Sequence, residues 1–166
     1  MRPKRSSTLS IKNRTFSGSV ASASTAKQST PNACTERKVV CAAIEVVDDR
    51  SADYSSLDVR SLVADNSWNA GIVLSEFATR WPDLEAVVGR ATKDDAAIGE
   101  GHGRDILGHP FNSVAWLATQ LGLRGVNLRA GQIVMTGSVM KTVFPVEDAS
   151  YRFEFEEIGF VEVQVR

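Results

Sequence analysis

One carboxylate stands in the middle of the most apolar run of this sequence. Val39-Val40-Cys41-Ala42-Ala43-Ile44-Glu45-Val46-Val47 is otherwise continuously apolar. Its length and β-branched content predict a strand buried on both faces. A carboxylate buried there is costly unless a cation or hydrogen-bond donors compensate it. Three readings of Glu45 follow from the residues. It is a ligand of a hard divalent cation, which prefers oxygen donors; or it pairs with a structural guanidinium such as Arg50; or its side of the strand is half exposed. One carboxylate does not make a metal site, so further ligands have to come from elsewhere.

Two polar clusters are candidates for holding a substrate. Asp65-Asn66-Ser67 offers a carboxylate, an amide and a hydroxyl within three residues, enough to hydrogen-bond an organic acid. The same residues readily form an Asx-turn that caps a short helix. Thr136-Gly137-Ser138 ends an apolar run, and its glycine permits close approach of a ligand to backbone amides. Lys141 follows it and reads as a solvated lysine that an anionic substrate can reach. The two histidines, His102 and His109, have the chemistry of an acid and base pair. His109 stands just before Pro110, however, where it reads as part of a helix start. Gly99-Glu100-Gly101-His102-Gly103 lacks the strand–turn–helix context of a dinucleotide fingerprint and reads as turn glycines. Cys34 and Cys41 make neither a disulfide framework nor a zinc site. No residue is assigned as catalytic on these grounds.

The elements that must position these groups are mostly strands. The turn at 65–67 lies beside a short helical piece and leads into a strand at 71–74. Trp81-Pro82-Asp83 breaks the chain. Residues 86–92 and 96–99 predict a hairpin about Lys93-Asp94-Asp95. Pro110 begins the clearest helix, which runs to Gly122 with Phe111, Val114, Ala115, Ala118 and Leu121 as its apolar face. Residues 128–132 turn into a strand at 133–136. Period-2 alternation in 151–155 and again in 160–165 predicts a terminal antiparallel hairpin. The fold class is α+β, rich in β, with one main helix.

Charge divides the 166 residues into two parts. Eight of the 19 Lys and Arg, but only one of the 20 acids, precede Val39, leaving 11 basic and 19 acidic residues after it. Residues 1–38 are basic, rich in Ser and Thr and poor in large apolar side chains. They predict a disordered leader, either a mitochondrial transit peptide or an unrelated start. Residues 39–166 form the domain. Their acidity argues against nucleic-acid binding, which needs clustered Lys and Arg. No apolar run is long enough to cross a bilayer, so no membrane partner is expected. The expected location is the cytoplasm, or the mitochondrion if the leader is a transit peptide.

A set of short motifs then occurs in order along 39–166: Ala43-Ile44-Glu45-Val46-Val47-Asp48-Asp49-Arg50, Val63-Ala64-Asp65-Asn66, Gly101-His102-Gly103 and Leu107-Gly108-His109-Pro110-Phe111-Asn112. Leu128-Arg129-Ala130-Gly131-Gln132 follows, running through Thr136-Gly137-Ser138, and Ile158-Gly159 closes the set. Together they resemble the C-terminal portion of the fumarylacetoacetate hydrolase superfamily, in its 2-keto-4-pentenoate hydratase and 4-oxalocrotonate decarboxylase branch. The resemblance implies the C-terminal part of that family's mixed β-roll. It implies a Mg²⁺ or Mn²⁺ ion with Glu45 as one of three carboxylate ligands. It also implies that Asp65, Asn66, Ser67, Thr136, Gly137 and Ser138 line the substrate site.

The implied substrate is a small 2-oxo or 2-hydroxydienoate acid of aromatic-compound catabolism, and the implied reaction is water addition by a lyase. A decarboxylase-like activity and a noncatalytic, truncated subunit are the alternatives. The family's other two carboxylates come from an E-x-E motif on an earlier strand. No E-x-E precedes Glu45, and Glu154-Phe155-Glu156 lies in the wrong order. Ser67 also stands one position before the place where the family carries its serine. The expectation is a chain that binds the metal weakly, has little activity of its own, and associates with itself or with a related decarboxylase or hydratase.

Overall fold

The computed structural model describes the backbone of Ser7–Leu9, Arg14–Thr25 and residues 37–166, with side chains from residue 39 onward. Nine strands and two α-helices are found in these residues. The strands are β1 (Ser7–Leu9), β2 (Arg14–Thr25), β3 (Arg37–Asp48), β4 (Asn69–Leu74), β5 (Val88–Lys93), β6 (Ala96–His102), β7 (Ile133–Ser138), β8 (Ser150–Phe155) and β9 (Gly159–Val165). The helices are α1 (Val59–Ala64) and α2 (Pro110–Gly122). One sheet has the order β1-β9-β8-β5-β6, the other β4-β3-β2-β7. All pairings are antiparallel except β1 with β9. The fold is therefore α+β and strand-rich with one main helix, as the periodicities predict.

β3 joins the two sheets into one core. Its alternate residues Ile44 and Val46 pack with Tyr151, Phe153, Val161 and Val163 of the five-stranded sheet. Val40 and Ala42, in the same phase, pack with Leu84, Val87, Val139 and Phe155. Tyr151, Phe153 and Phe155 are buried while Arg152 and Glu154 between them are not, the alternation read from 151–155. Fully burying such an aromatic contributes about 1.5–3 kcal/mol, so three on one strand fix the register of the β8–β9 hairpin. The hairpin predicted about Lys93-Asp94-Asp95 is β5–β6. Asp94 and Asp95 both take left-handed backbone, φ 48° and 66°, as a tight two-residue turn requires.

The structure departs from the sequence reading in three places. First, two stretches of the segment expected to be disordered are strands. β2 pairs with β3 along its whole length, from Arg14 opposite Asp48 to Thr25 opposite Arg37, and then with β7. The physical reason is backbone hydrogen bonding. β3 lies inside the fold, so its donors and acceptors need a strand on each side, and β4 and β2 provide them. The remainder of residues 1–38, Cys34 included, lies outside the described residues.

Second, Gly99 and Gly101 lie within strand β6 and are not turn glycines. A Cβ on Gly101 would stand 1.8 Å from the Val139 carbonyl oxygen, and one on Gly103 would stand 1.7 Å from that of Leu84. Close backbone crossing is what demands glycine at these two sites. Third, the inward face of α2 is Pro110, Phe111, Val114, Leu117 and Leu121, while Ala115 and Ala118 are exposed. Leu117 supplies the apolar bulk that the two alanines lack. His109 caps this helix, its Nδ1 accepting from the Phe111 amide at 3.0 Å, as its place before Pro110 predicts.

Candidate functional site

Glu45 sits on the second face of β3. The phase opposite to Ile44 and Val46 contains Cys41, Ala43 and Glu45, and Cys41 and Ala43 pack against Leu74 of β4 and Met135 of β7. Burial pushes the Cys41 thiol from its ordinary 9.0 up to about 11. Glu45 itself is half-buried. Its Oε1 accepts a hydrogen bond of 2.8 Å from Nδ2 of Asn69, the first residue of β4. Asn69 stands opposite Val47, two positions from Glu45, so this is a diagonal contact across the β3–β4 pair.

Arg50 does not pair with Glu45. Its guanidinium donates to Asp65 instead, an ion pair with both side chains about half exposed. Asp65 ends α1, and the cap at that helix's start is Asp58, whose carboxylate accepts from the amides of Arg60 and Ser61. The Asx-turn reading of 65–67 as a cap for the short helical piece is corrected: Asp65 stands at the start of the 3-10 turn Asn66–Trp68, and its side chain makes no capping hydrogen bond there. Asn66, Ser67 and Trp68 then take left-handed backbone in succession, with φ 49°, 50° and 61°. None is glycine, and such conformations cost on the order of 1–3 kcal/mol each. The edge-on contact of Trp68 with Tyr54, ring centroids 5.6 Å apart, helps hold this run in place. The strained turn delivers Asn69 to Glu45.

The second candidate cluster lies two strands away. β7 is separated from β3 by β2, so the backbones stand roughly 10 Å apart at normal strand spacing. Thr136 is buried, and Gly137 has φ 119°. Ser138 Oγ donates to the Met140 carbonyl at 2.6 Å. Ser138 and Lys141 line an open cleft of about 620 Å³ between β6 and the chain after β7. Glu45, Asp65, Asn66 and Ser67 are not part of its lining. The predicted residues thus gather around one sheet without converging on one cavity. Asn69 is the neighbour of Glu45 that sequence reasoning missed. Its signal would have been a polar residue opening the strand next to the one that carries Glu45.

His102 starts the short turn after β6, its amide donating to Asp105 at 2.7 Å. His109 is committed to its helix cap. Neither stands in contact with Glu45.

Comparison with known proteins gives the fold a lineage. No protein-family profile matches the chain. The 2-keto-4-pentenoate hydratase of Paraburkholderia phymatum is 39% identical over 124 residues, 72% of this chain and 46% of its own length. The 2-hydroxyhexa-2,4-dienoate hydratase of Comamonas testosteroni is 31% identical over 80% of this chain and 50% of its own length. The solved 4-oxalocrotonate decarboxylase from Pseudomonas putida G7, complexed with magnesium and adipate, superposes with a TM-score of 0.82 at 23% identity. It covers 96% of this chain and 64% of the decarboxylase chain.

The fold is that of the fumarylacetoacetate hydrolase superfamily, strand-rich with one main helix. The chain's homologues are named 2-keto-4-pentenoate hydratase and 4-oxalocrotonate decarboxylase, and its structural neighbours are members of that superfamily. The chain spans about half the length of the curated relatives it matches.

The divalent metal of the family does not fit the described residues. Among the described residues no three His, Cys, Asp or Glu side chains come together to hold an ion. β2, which flanks Glu45, contains neither Asp nor Glu. A single carboxylate already engaged by Asn69 cannot displace the waters of a strongly hydrated dication.

Proposed function

We propose that this chain is a domain of a lyase of the 2-keto-4-pentenoate hydratase type, which adds water to a 2-hydroxy-2,4-dienoate in aromatic-compound catabolism. One observation carries the reading: a half-buried carboxylate, Glu45, held by Asn69 on the second face of β3. The hydratase names of relatives at 31–39% identity support the same chemistry over the decarboxylase alternative. Asp65, Asn66 and Ser67 on one side, and Thr136, Gly137 and Ser138 on the other, are the residues we assign to the organic acid. Hydrogen-bond donors on such turns orient carboxylate oxygens and exclude water from the reacting end. The bacterial relatives support a cytoplasmic location rather than a mitochondrial one.

The chain by itself carries little turnover, because its ligand set holds no ion. The test is an assay of the purified chain with 2-hydroxypentadienoate and Mg²⁺, following loss of the dienoate absorbance. The expected rate is indistinguishable from that of Glu45→Gln. A turnover of about 10 s⁻¹, ordinary for an enzyme, would overturn this part of the reading.

A second reading is favoured by exposed apolar side chains on α2 and just beyond it. Trp116 is 62% exposed and Leu123 76%. A noncatalytic subunit that packs on a related decarboxylase or hydratase would cover them.

A further inference from the structure

We infer that Ser17 and Ser19 of β2 occupy the two positions from which carboxylates would complete a divalent-cation site with Glu45, and that these two serines withhold such a site from this chain. The inference rests on the reading of Glu45 as a cation-facing carboxylate. It assigns the departure from that chemistry to particular residues.

The register makes the assignment. Ser17 stands directly opposite Glu45, and Ser19 opposite Ala43. Residues two apart on a strand share a face, so positions 17 and 19 belong to the row that contains Cys41, Ala43 and Glu45. That row is the second face of the sheet, bounded by Leu74 on one side and Met135 on the other. Directly opposed positions have Cβ atoms about 4.5–5.5 Å apart, and diagonal ones about 7–8 Å. Carboxylates on glutamate-length stems at 17, 19 and 45 therefore reach a common point.

Thr15 is the other position flanking Ser17 on this row, and the geometry disfavours it. It stands opposite Val47, whose partner on β4 is Asn69. That end of the site is taken by the amide that holds Glu45 Oε1. The other end is open in residue size: Ser19 is flanked by Ala43 on β3 and by Ser138 on β7. It is also the end nearer the Thr136–Gly137–Ser138 cluster.

The extent of the two kinds of likeness points the same way. The sequence match to the Paraburkholderia hydratase covers 72% of the chain, whereas the structural match to the decarboxylase covers 96%. So wide a structural match takes in β2. This strand lies within the structurally matched part of the chain, and its residues include no carboxylate.

The experiment is Mn²⁺ titration of three full-length chains by calorimetry: the unaltered protein, S17E/S19E, and S17E/S19E/E45Q. The unaltered chain is expected to bind no more tightly than the millimolar range. S17E/S19E is expected to bind at least roughly 100-fold more tightly, and E45Q in that background to return affinity to the starting value. The inference fails if the unaltered chain already binds at micromolar concentration. It fails equally if the double variant gains nothing, or if the gain survives E45Q.

Should three carboxylates without metal keep the double variant unfolded, its folded fraction by circular dichroism replaces the heat signal. A Mn²⁺-dependent rise in that fraction supports the assignment, and none at saturating Mn²⁺ overturns it. A double variant that binds Mn²⁺ tightly yet shows no hydratase turnover supports the inference and counts against the proposed reaction instead.

Discussion

The contact between Glu45 and Asn69 and the pair between Arg50 and Asp65 look alike on paper, but they differ in what surrounds them. Glu45 is half-buried beside the dry Cys41–Ala43 surface, so its hydrogen bond replaces water that cannot easily return. Arg50 and Asp65 are 48% and 44% exposed, and solvent screens them. Asn69→Ala is therefore expected to cost about 1.5 kcal/mol, the low end for a hydrogen bond to a charged group. Arg50→Ala is expected to cost no more than about 0.5 kcal/mol. Urea denaturation of both variants at pH 7 checks the order, and a larger loss for Arg50→Ala would refute this account of the site. Glu45 was legible in the sequence because a lone acid in an apolar run violates the burial rule. Asn69 was not, because it lies 24 residues away and meets Glu45 only through a diagonal across the β3–β4 register.

Among the elements, those with strong side-chain periodicity were readable and those fixed by backbone packing were not. β8 and β9 announce themselves by alternation, and α2 by Pro110 and its three- and four-residue steps. β2 is mostly Ser, Ala, Gly and Thr, so no apolar face marks it, and only the unpaired edge of β3 accounts for it. The glycines of β6 were visible as a motif, but the reason for Gly101 lies at Val139, in the chain just after β7. That reason can be measured. A methyl group on Gly101 would overlap the Val139 carbonyl, which is backbone and cannot step aside. Gly101→Ala is expected to lose about 2–3 kcal/mol, or to prevent folding. Gly71 of β4 has nothing within 4 Å of its virtual Cβ, so Gly71→Ala is expected to be neutral or to stabilise by about 0.5 kcal/mol. Thermal melts followed by circular dichroism compare the two. Equal melting temperatures would show that β6 tolerates displacement and that the close crossing is not what selects glycine.

For the molecule as a whole, the decisive feature is apolar surface that this chain does not itself cover. α2 turns Leu117 and Leu121 inward but leaves Trp116 in solvent, and Leu123 and Val126 follow on the exposed loop beyond it. These are three large side chains within eleven residues, on a chain that spans about half the length of its relatives. An apolar patch of this kind associates, because burying it removes surface from water at about 25 cal/mol per Å². Self-association is therefore expected to rise with concentration in size-exclusion chromatography with light scattering. The double substitution W116K/L123K is expected to shift the population to monomer. Both positions are exposed, so the melting temperature should hold within the change produced by about 0.5 kcal/mol. Leu117→Lys supplies the contrast: it places a charge on the inward face of the same helix and should unfold the protein without first dissociating it. A wild-type chain that stays monomeric at all concentrations would remove the physical basis for a partner at this face. Loss of stability in W116K/L123K equal to that in Leu117→Lys would mean that the patch belongs to the core and is not a surface left for association.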